Sequence, residues 1–297
     1  MDDTAKQQTD GEKEDADSFF KNKNGYKIFG KYWYPKRKED EQPRGLVFIA
    51  HGVGEHCQRY DCIANPLTDN GFLVFSHDHV GHGKSEGVRV DIVHFTDYTN
   101  DVVQHVDLVK AKYPGCPVFI IGHSMGGTIV VKTVLDNPDI CRGIVLIAPS
   151  LQVDPNLVGP VKIFAVRLVS RCAPRLPVGR IDSETVCHDQ AVIDDYDNDP
   201  LVWHGGLKAR WGVCFFDTMD EIGERMSEIQ CPLLNLHGDA DKLTTLEGSQ
   251  LLQDKAGSKD KTLKVIPGGY HELHFEPDGV GTQCIKDIVS WIGERAQ

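Results

Sequence analysis

Short apolar runs recur along the chain, at residues 45–50, 72–76, 117–121, 143–148, 232–237 and 262–266. Each is too short for a helix and shows no polar alternation, which predicts strands buried on both faces. An alternating, aromatic-rich stretch at 26–34, closed by Pro35, predicts a further strand, with a charged loop over 36–44. Between several runs the apolar positions recur with helical spacing. Val102, Val106 and Val109 share one face, and Ile285, Ile288, Val289 and Ile292 form a stripe near the end. Strand and helix alternate, so the pattern predicts an α/β fold with a mostly parallel sheet covered by helices. The alternation stops between Ser150 and about Met226, a gap too long for a bare loop. We expect an inserted helical cap at about 151–226, closing over one edge of the sheet.

Composition narrows the class. With 297 residues, 40% hydrophobic and 26% charged, the chain has the profile of an ordinary globular protein. Its formal charge of 32 − 44 = −12 argues against nucleic acid as a partner. The first 17 residues hold seven acids and two bases and almost nothing apolar, which predicts a solvated tail over 1–23 and a folded domain over 24–297. No apolar segment there resembles the core of a secretory signal, and no later run approaches the roughly 18 residues of a membrane span. We therefore expect a cytoplasmic protein. The nine cysteines are scattered without CxxC pairs, as expected for reduced thiols.

The sharpest chemical signal is Gly122-His123-Ser124-Met125-Gly126, a GxSxG directly after a predicted strand and before a helix-capable segment at 127–135. A nucleophile elbow needs small residues around a serine held on a strained strand-to-helix turn. The serine hydroxyl also needs a base, and the base an orienting group. Two later segments offer these. Asp239 and Asp241 follow the strand at 232–237, and His271 follows the strand at 262–266. The order Ser, Asp, His suits such a fold. The N–H of Met125, next to the serine, and that of Val53, in the Gly-rich loop after Ala50, are candidate donors to a developing oxyanion. The spacing of His77, His79 and His82 could suggest a metal site, but with Asp78 and Gly81 it reads better as a tight loop, and we expect neither metal nor cofactor.

In the expected cap, Leu157, Val158, Val161, Ile163, Phe164, Ala165, Val166, Leu168 and Val169 form an apolar segment interleaved with Lys162, Arg167, Arg171 and Arg175. Such a segment suits docking on an anionic membrane surface, or burial against the body with its basic ends reaching water.

Taken together, HGVGEH (His51 to His56), HDHVGHGKSEG (His77 to Gly87), GHSMGG (Gly122 to Gly127), GDADKL (Gly238 to Leu243) and GGYHELH (Gly268 to His274) resemble the serine α/β-hydrolases, and within them the monoacylglycerol lipase family. The likeness runs from about Tyr26 to Trp291. It implies an α/β-hydrolase fold and cleavage of monoacylglycerol to fatty acid and glycerol. The implied roles are Ser124 as nucleophile, Asp241 as orienting acid, His271 as base, and the Val53 and Met125 amides as the oxyanion hole. It further implies a glycerol-binding cluster of Glu55, Arg59, Tyr196 and His274, and Trp203, Arg210 and Thr244 where vertebrate relatives carry cysteines. Related alternatives are a lysophospholipase, a small-ester carboxylesterase or a non-catalytic binding protein of the same fold. The expected partners are the lipid ester and, through the cap, a membrane surface.

Overall fold

Eight strands form one sheet in the computed structural model, which describes residues 18–36, 41–153 and 158–297. In chain order they are β1 (Ser18–Lys21), β2 (Lys27–Trp33), β3 (Gly45–Ala50), β4 (Phe72–His77), β5 (Val118–His123), β6 (Gly143–Ile147), then β9 (Leu233–Gly238) and β10 (Lys261–Ile266) after an insertion. Their spatial order is β1-β2-β4-β3-β5-β6-β9-β10. β1 with β2 and β2 with β4 pair antiparallel, and every other pair is parallel. The parallel strands need long crossovers. These are helices α1 (Asp61–Asp69), α2 (Thr96–Lys112), α3 (Met125–Asp136) and α7 (Leu246–Lys255), with α8 (Val280–Arg295) last.

The central strands are buried on both faces because side chains alternate between two cores. In β3, Leu46, Phe48 and Ala50 face a core shared with α2 and α3, while Val47 and Ile49 face one shared with α1 and α8. Two sequence expectations need correction. β10 is an edge strand and only partly buried, with Val265 exposed, because among the described residues no strand pairs with its outer side. Residues 18–21, expected in the acidic tail, instead form β1. Phe20 packs on His105 with ring centroids 4.9 Å apart, and Phe19 packs on Phe29 at 5.4 Å. Two adjacent phenylalanines outweigh the charge trend of the preceding segment. The rest of that segment, residues 1–17, lies outside the described residues.

The stretch between β6 and β9 holds α4 (Pro160–Cys172), β7 (Pro177–Gly179), α5 (Gln190–Asn198), β8 (Leu207–Lys208) and α6 (Ala209–Arg225). α6 buries Phe215, Met219 and Ile222 in the α3-side core. Ion pairs reinforce that contact: Lys132 of α3 reaches Asp136 and Glu221, and Arg225 reaches Asp136, Glu221 and Glu228. In contrast, α4 buries no residue, and Val161, Phe164 and Leu168 are 81%, 70% and 55% exposed. The apolar segment is thus only half-buried, with Val166 against Gly212 of α6 and those three side chains facing outward; its Leu157 lies outside the described residues. Among the described residues no helix is long and apolar enough to cross a membrane.

The approach of α3 to the sheet is close. A Cβ on Gly126 would lie 2.1 Å from the backbone oxygen of Ala50, which cannot yield without moving β3. We predict that Gly126→Ala costs about 3 kcal/mol or more, the upper part of the range for overpacking. A thermal melt should show a midpoint at least several degrees below wild type; an unchanged midpoint would disprove this account of the contact.

Candidate active site

Parallel strands deliver their following loops to one edge of the sheet, and four such loops build the site. At the end of β5, Ser124 takes φ 55° and ψ −121°, a conformation that L-residues rarely adopt. Its surroundings enforce this. The Ser124 N–H donates to the Ile147 carbonyl at 3.1 Å, and its own carbonyl accepts from Gly127 at 2.9 Å and Ser150 at 3.1 Å. Strain of this kind persists only where neighbours over-determine it.

The loops after β9 and β10 supply Asp241 and His271. Nδ1 of His271 donates to Asp241 Oδ2 at 2.8 Å. Because an ionised carboxylate only accepts, the proton sits on Nδ1 and the neutral ring keeps Nε2 as its basic nitrogen. Asp241 also accepts from Thr244 Oγ1 at 2.7 Å, Leu243 N at 2.7 Å and Thr244 N at 3.0 Å. Burial opposes the Asp241 charge, yet His271 and these donors hold the carboxyl well below the usual carboxylate range. Burial likewise opposes charge on His271, but the Asp241 carboxylate outweighs it and raises the imidazole above its ordinary value.

Asp239 has a different place. It is exposed, and its Oδ1 accepts from the Gly268 N–H at 2.6 Å, tying the two loops together. Sequence spacing alone left both aspartates open; only Asp241 meets the histidine.

The loop after β3 runs against Ser124. A Cβ on Gly52 would lie 3.3 Å from Ser124 Cβ. The Gly52 carbonyl accepts from His51 Nδ1 at 2.7 Å, while His51 Nε2 accepts from the His79 N–H at 3.0 Å. A trans peptide points its N–H opposite its carbonyl, so this bond fixes the direction of the Val53 N–H. Met125 opens α3, and its amide is one of the four at a helix start without an intrahelical acceptor.

Of the four residues expected around the glycerol, the structure brings three together. Arg59 donates to Glu55 at 2.8 Å and lies 5.0 Å from the Tyr196 ring centroid. His274 reaches them through Tyr60, on which its buried ring stacks at 5.4 Å, and among the described residues neither of its ring nitrogens is hydrogen-bonded. Burial pushes its pKa far down, so it is neutral. A cavity of about 110 Å³ adjoins the cluster, lined by Gly54, Arg180, Tyr196, Trp203 and His204 among others.

Several site residues were not singled out from sequence. Tyr60 donates to Glu55 Oε1 at 2.7 Å, His123 Nδ1 lies 3.1 Å from the same oxygen, and Glu272 pairs with Arg59 from 213 positions away. Thr244 was named from sequence only as a replaced cysteine; its place on Asp241 follows the Asp-x-x-Thr spacing of a side-chain-capped turn. The Trp203 backbone N–H donates to the Gly54 carbonyl at 2.7 Å and its indole N–H to the Gly206 carbonyl at 3.0 Å, whereas Arg210 is engaged by Asp91 on the loop after β4.

The histidines after β4 form a buried ladder. His79 stacks on His51 at 4.1 Å, His77 meets His105 at 3.1 Å, and burial lowers His82 and His105 to about 3. Asp78 accepts from Cys57 N and Lys84 N and closes the tight loop. Among the described residues no group of three His, Cys, Asp or Glu side chains is arranged to hold a metal ion.

Comparison with known proteins places the chain in a family. The family model described as serine aminopeptidase, S33, matches residues 41–278. Mouse monoglyceride lipase is 38% identical over 274 residues, which cover 92% of this chain and 89% of the mouse protein. The monoacylglycerol lipase of Mycolicibacterium smegmatis is 35% identical, covering 90% of this chain and 93% of its own. A crystal structure of Paleococcus ferrophilus monoacylglycerol lipase aligns with a TM-score of 0.81 at 28% identity, over 90% of this chain and 99% of that one. By sequence and by fold, the chain belongs to the monoglyceride lipase family of serine α/β-hydrolases.

Proposed function

We propose that this chain hydrolyses monoacylglycerols to fatty acid and glycerol, with Ser124 as nucleophile, His271 as general base and Asp241 as its orienting acid. The observation that carries the reading is the Asp241–His271 hydrogen bond on loops beside a strained Ser124 at the same sheet edge. Ser124 Oγ attacks the ester carbonyl while His271 Nε2 takes its proton. The Val53 and Met125 amides meet the charge that develops on the carbonyl oxygen. His271 then protonates the departing glycerol oxygen, and water, deprotonated by the same nitrogen, releases the fatty acid. None of these steps calls for a metal or organic cofactor. Glu55, Arg59 and Tyr196 form the wall that meets the alcohol, with Tyr60 and the buried His274 supporting it from behind.

The exposed apolar face of α4 lies beside Lys162 and Arg171, a pairing suited to an anionic lipid surface despite the acidic chain. On this reading the enzyme is cytoplasmic and peripherally membrane-associated, and α4 with its neighbours is a cap that receives an insoluble substrate.

Ser124→Ala should remove fluorophosphonate labelling and lower turnover on the order of a million-fold, as in the subtilisin series, while the melt stays near wild type. A folded Ser124→Ala protein with normal turnover would refute the mechanism.

The aspartates separate by exchange for asparagine. Asp241→Asn should cost on the order of ten thousand-fold in kcat, and Asp239→Asn far less. In wild type the pH profile of kcat/KM should fall on acidification with a midpoint above 6.5, because His271 must be neutral to accept a proton and its pKa is raised from that value. The Asp241 charge sustains the rise, so residual Asp241→Asn activity should show a lower midpoint. The opposite shift would contradict the pairing.

For the cap, Phe164→Ser with Leu168→Ser should weaken binding to anionic vesicles and slow hydrolysis of long-chain monoacylglycerol presented in them. A short soluble ester should be cleaved at nearly the wild-type rate, since neither side chain is buried. Equal losses on both substrates with unchanged vesicle binding would overturn the docking role.

A further inference from the structure

We propose that Glu272 is a specificity-determining residue that sets the alcohol side of the site against anionic leaving groups, so that the enzyme takes neutral polyol esters and rejects those whose alcohol bears a phosphate. The inference rests on the reading of Glu55, Arg59 and Tyr196 as the wall that meets the alcohol. An unpaired arginine at such a wall would be a phosphate receptor, because a guanidinium fork matches phosphate oxygens bidentately. Here the fork is taken. Arg59 Nη1 donates to Glu272 Oε1 at 2.5 Å and to Glu55 Oε2 at 2.8 Å, and Nη2 donates to Glu272 Oε2 at 2.9 Å. Two carboxylates around one guanidinium leave one net negative charge, on side chains only 3%, 3% and 9% exposed.

Position makes this charge matter. A Cβ on Gly52 would lie 2.7 Å from Glu55 Oε1 and 3.3 Å from Ser124 Cβ, so the ion cluster begins one residue's width from the serine. Glu272 directly follows His271, and its N–H donates to the Val186 carbonyl at 2.7 Å, which holds it in place. The guanidinium lies 5.0 Å from the Tyr196 ring centroid and 5.3 Å from that of Phe275, in surroundings that screen charge poorly. A phosphate brought here meets like charge instead of a free fork.

The two carboxylates divide the work. Glu55 Oε1 already receives the Gly52 N–H, the Tyr60 hydroxyl and a close contact from His123, so Glu55 holds the oxyanion-side loop. Among the described residues the Glu272 side chain hydrogen-bonds Arg59 alone. Glu272 can therefore change the charge of the wall without loosening that loop.

The test compares a monoacylglycerol with the monoacylglycerol phosphate of the same acyl chain in neutral mixed micelles, on the full-length chain. Wild type should favour the neutral ester in kcat/KM on the order of a hundredfold or more, as like-charge juxtaposition predicts. Glu272→Gln should narrow that ratio at least tenfold, chiefly through a lower KM for the phosphorylated ester. A purely structural role would lower both rates and leave the ratio where it was; that result in a folded variant overturns the inference. Wild type alone gives a second measurement that no folding defect can obscure. Glycerol should inhibit more strongly than glycerol 3-phosphate, and equal or stronger inhibition by the phosphate overturns the proposal. Failure of wild type to cleave monoacylglycerol while it cleaves a short neutral ester would count against the proposed function instead. In that case a neutral and an anionic short ester, compared in wild type and Glu272→Gln, test Glu272 by the same ratio.

Discussion

A buried carboxylate has to be paired, and the demands of Glu55 organise the site. Its side chain is 3% exposed. Burial works against its charge, but hydrogen bonding from His123 and the charge of Arg59 hold it ionised, well below the usual range for a glutamate. Its partners come from the loop after β3, the end of β5 and the turn before α1. One carboxylate thus sets the path of the backbone beside Ser124, braces His123 immediately before it, and orients Arg59 at the wall. Removing any partner would strand charge in a place water barely reaches, so the groups hold their arrangement as a set.

The oxyanion-side loop is fixed a second time by neutral groups. His51 donates a hydrogen bond to the Gly52 carbonyl and accepts one from the His79 amide, and it can do both only as a neutral ring. Burial lowers its pKa to about 4, even with Glu55 nearby favouring the charged form. The histidine ladder behind the loop is equally dry. The His77–His82 segment packs behind the loop, and the His79 backbone amide holds the His51 ring that in turn holds the Gly52 peptide plane.

Different parts of the insertion between β6 and β9 are held with different strength. α6 is joined to α3 by apolar burial and by ion pairs around Lys132 and Arg225. Asp91 anchors Arg175 and Arg210 at the segments that follow α4. α4 itself has no buried side chain. α4 is tied to α6, with Arg167 reaching Asp217, and it is also the helix of the insertion that presents Val161, Phe164 and Leu168 to solvent.

The sequence by itself determined the elements whose signal is local. Unbroken apolar runs marked the central strands to within a residue or two, since burial on both faces excludes polar residues from those positions. The GxSxG elbow was legible because its strain demands small neighbours within a few residues. Tertiary structure alone decided whatever depended on partners far along the chain. It showed Asp241 rather than Asp239 on His271, a choice that spacing left open and only the family resemblance had implied, because two loops converge and only one carboxylate points inward. It made β10 an edge strand, set His274 behind Tyr60, and left α4 exposed, because burial belongs to the assembled layers and not to a residue's own neighbours. It paired Glu272 with Arg59 across 213 positions, and no local pattern records a contact made only when two distant loops meet at the edge of one sheet.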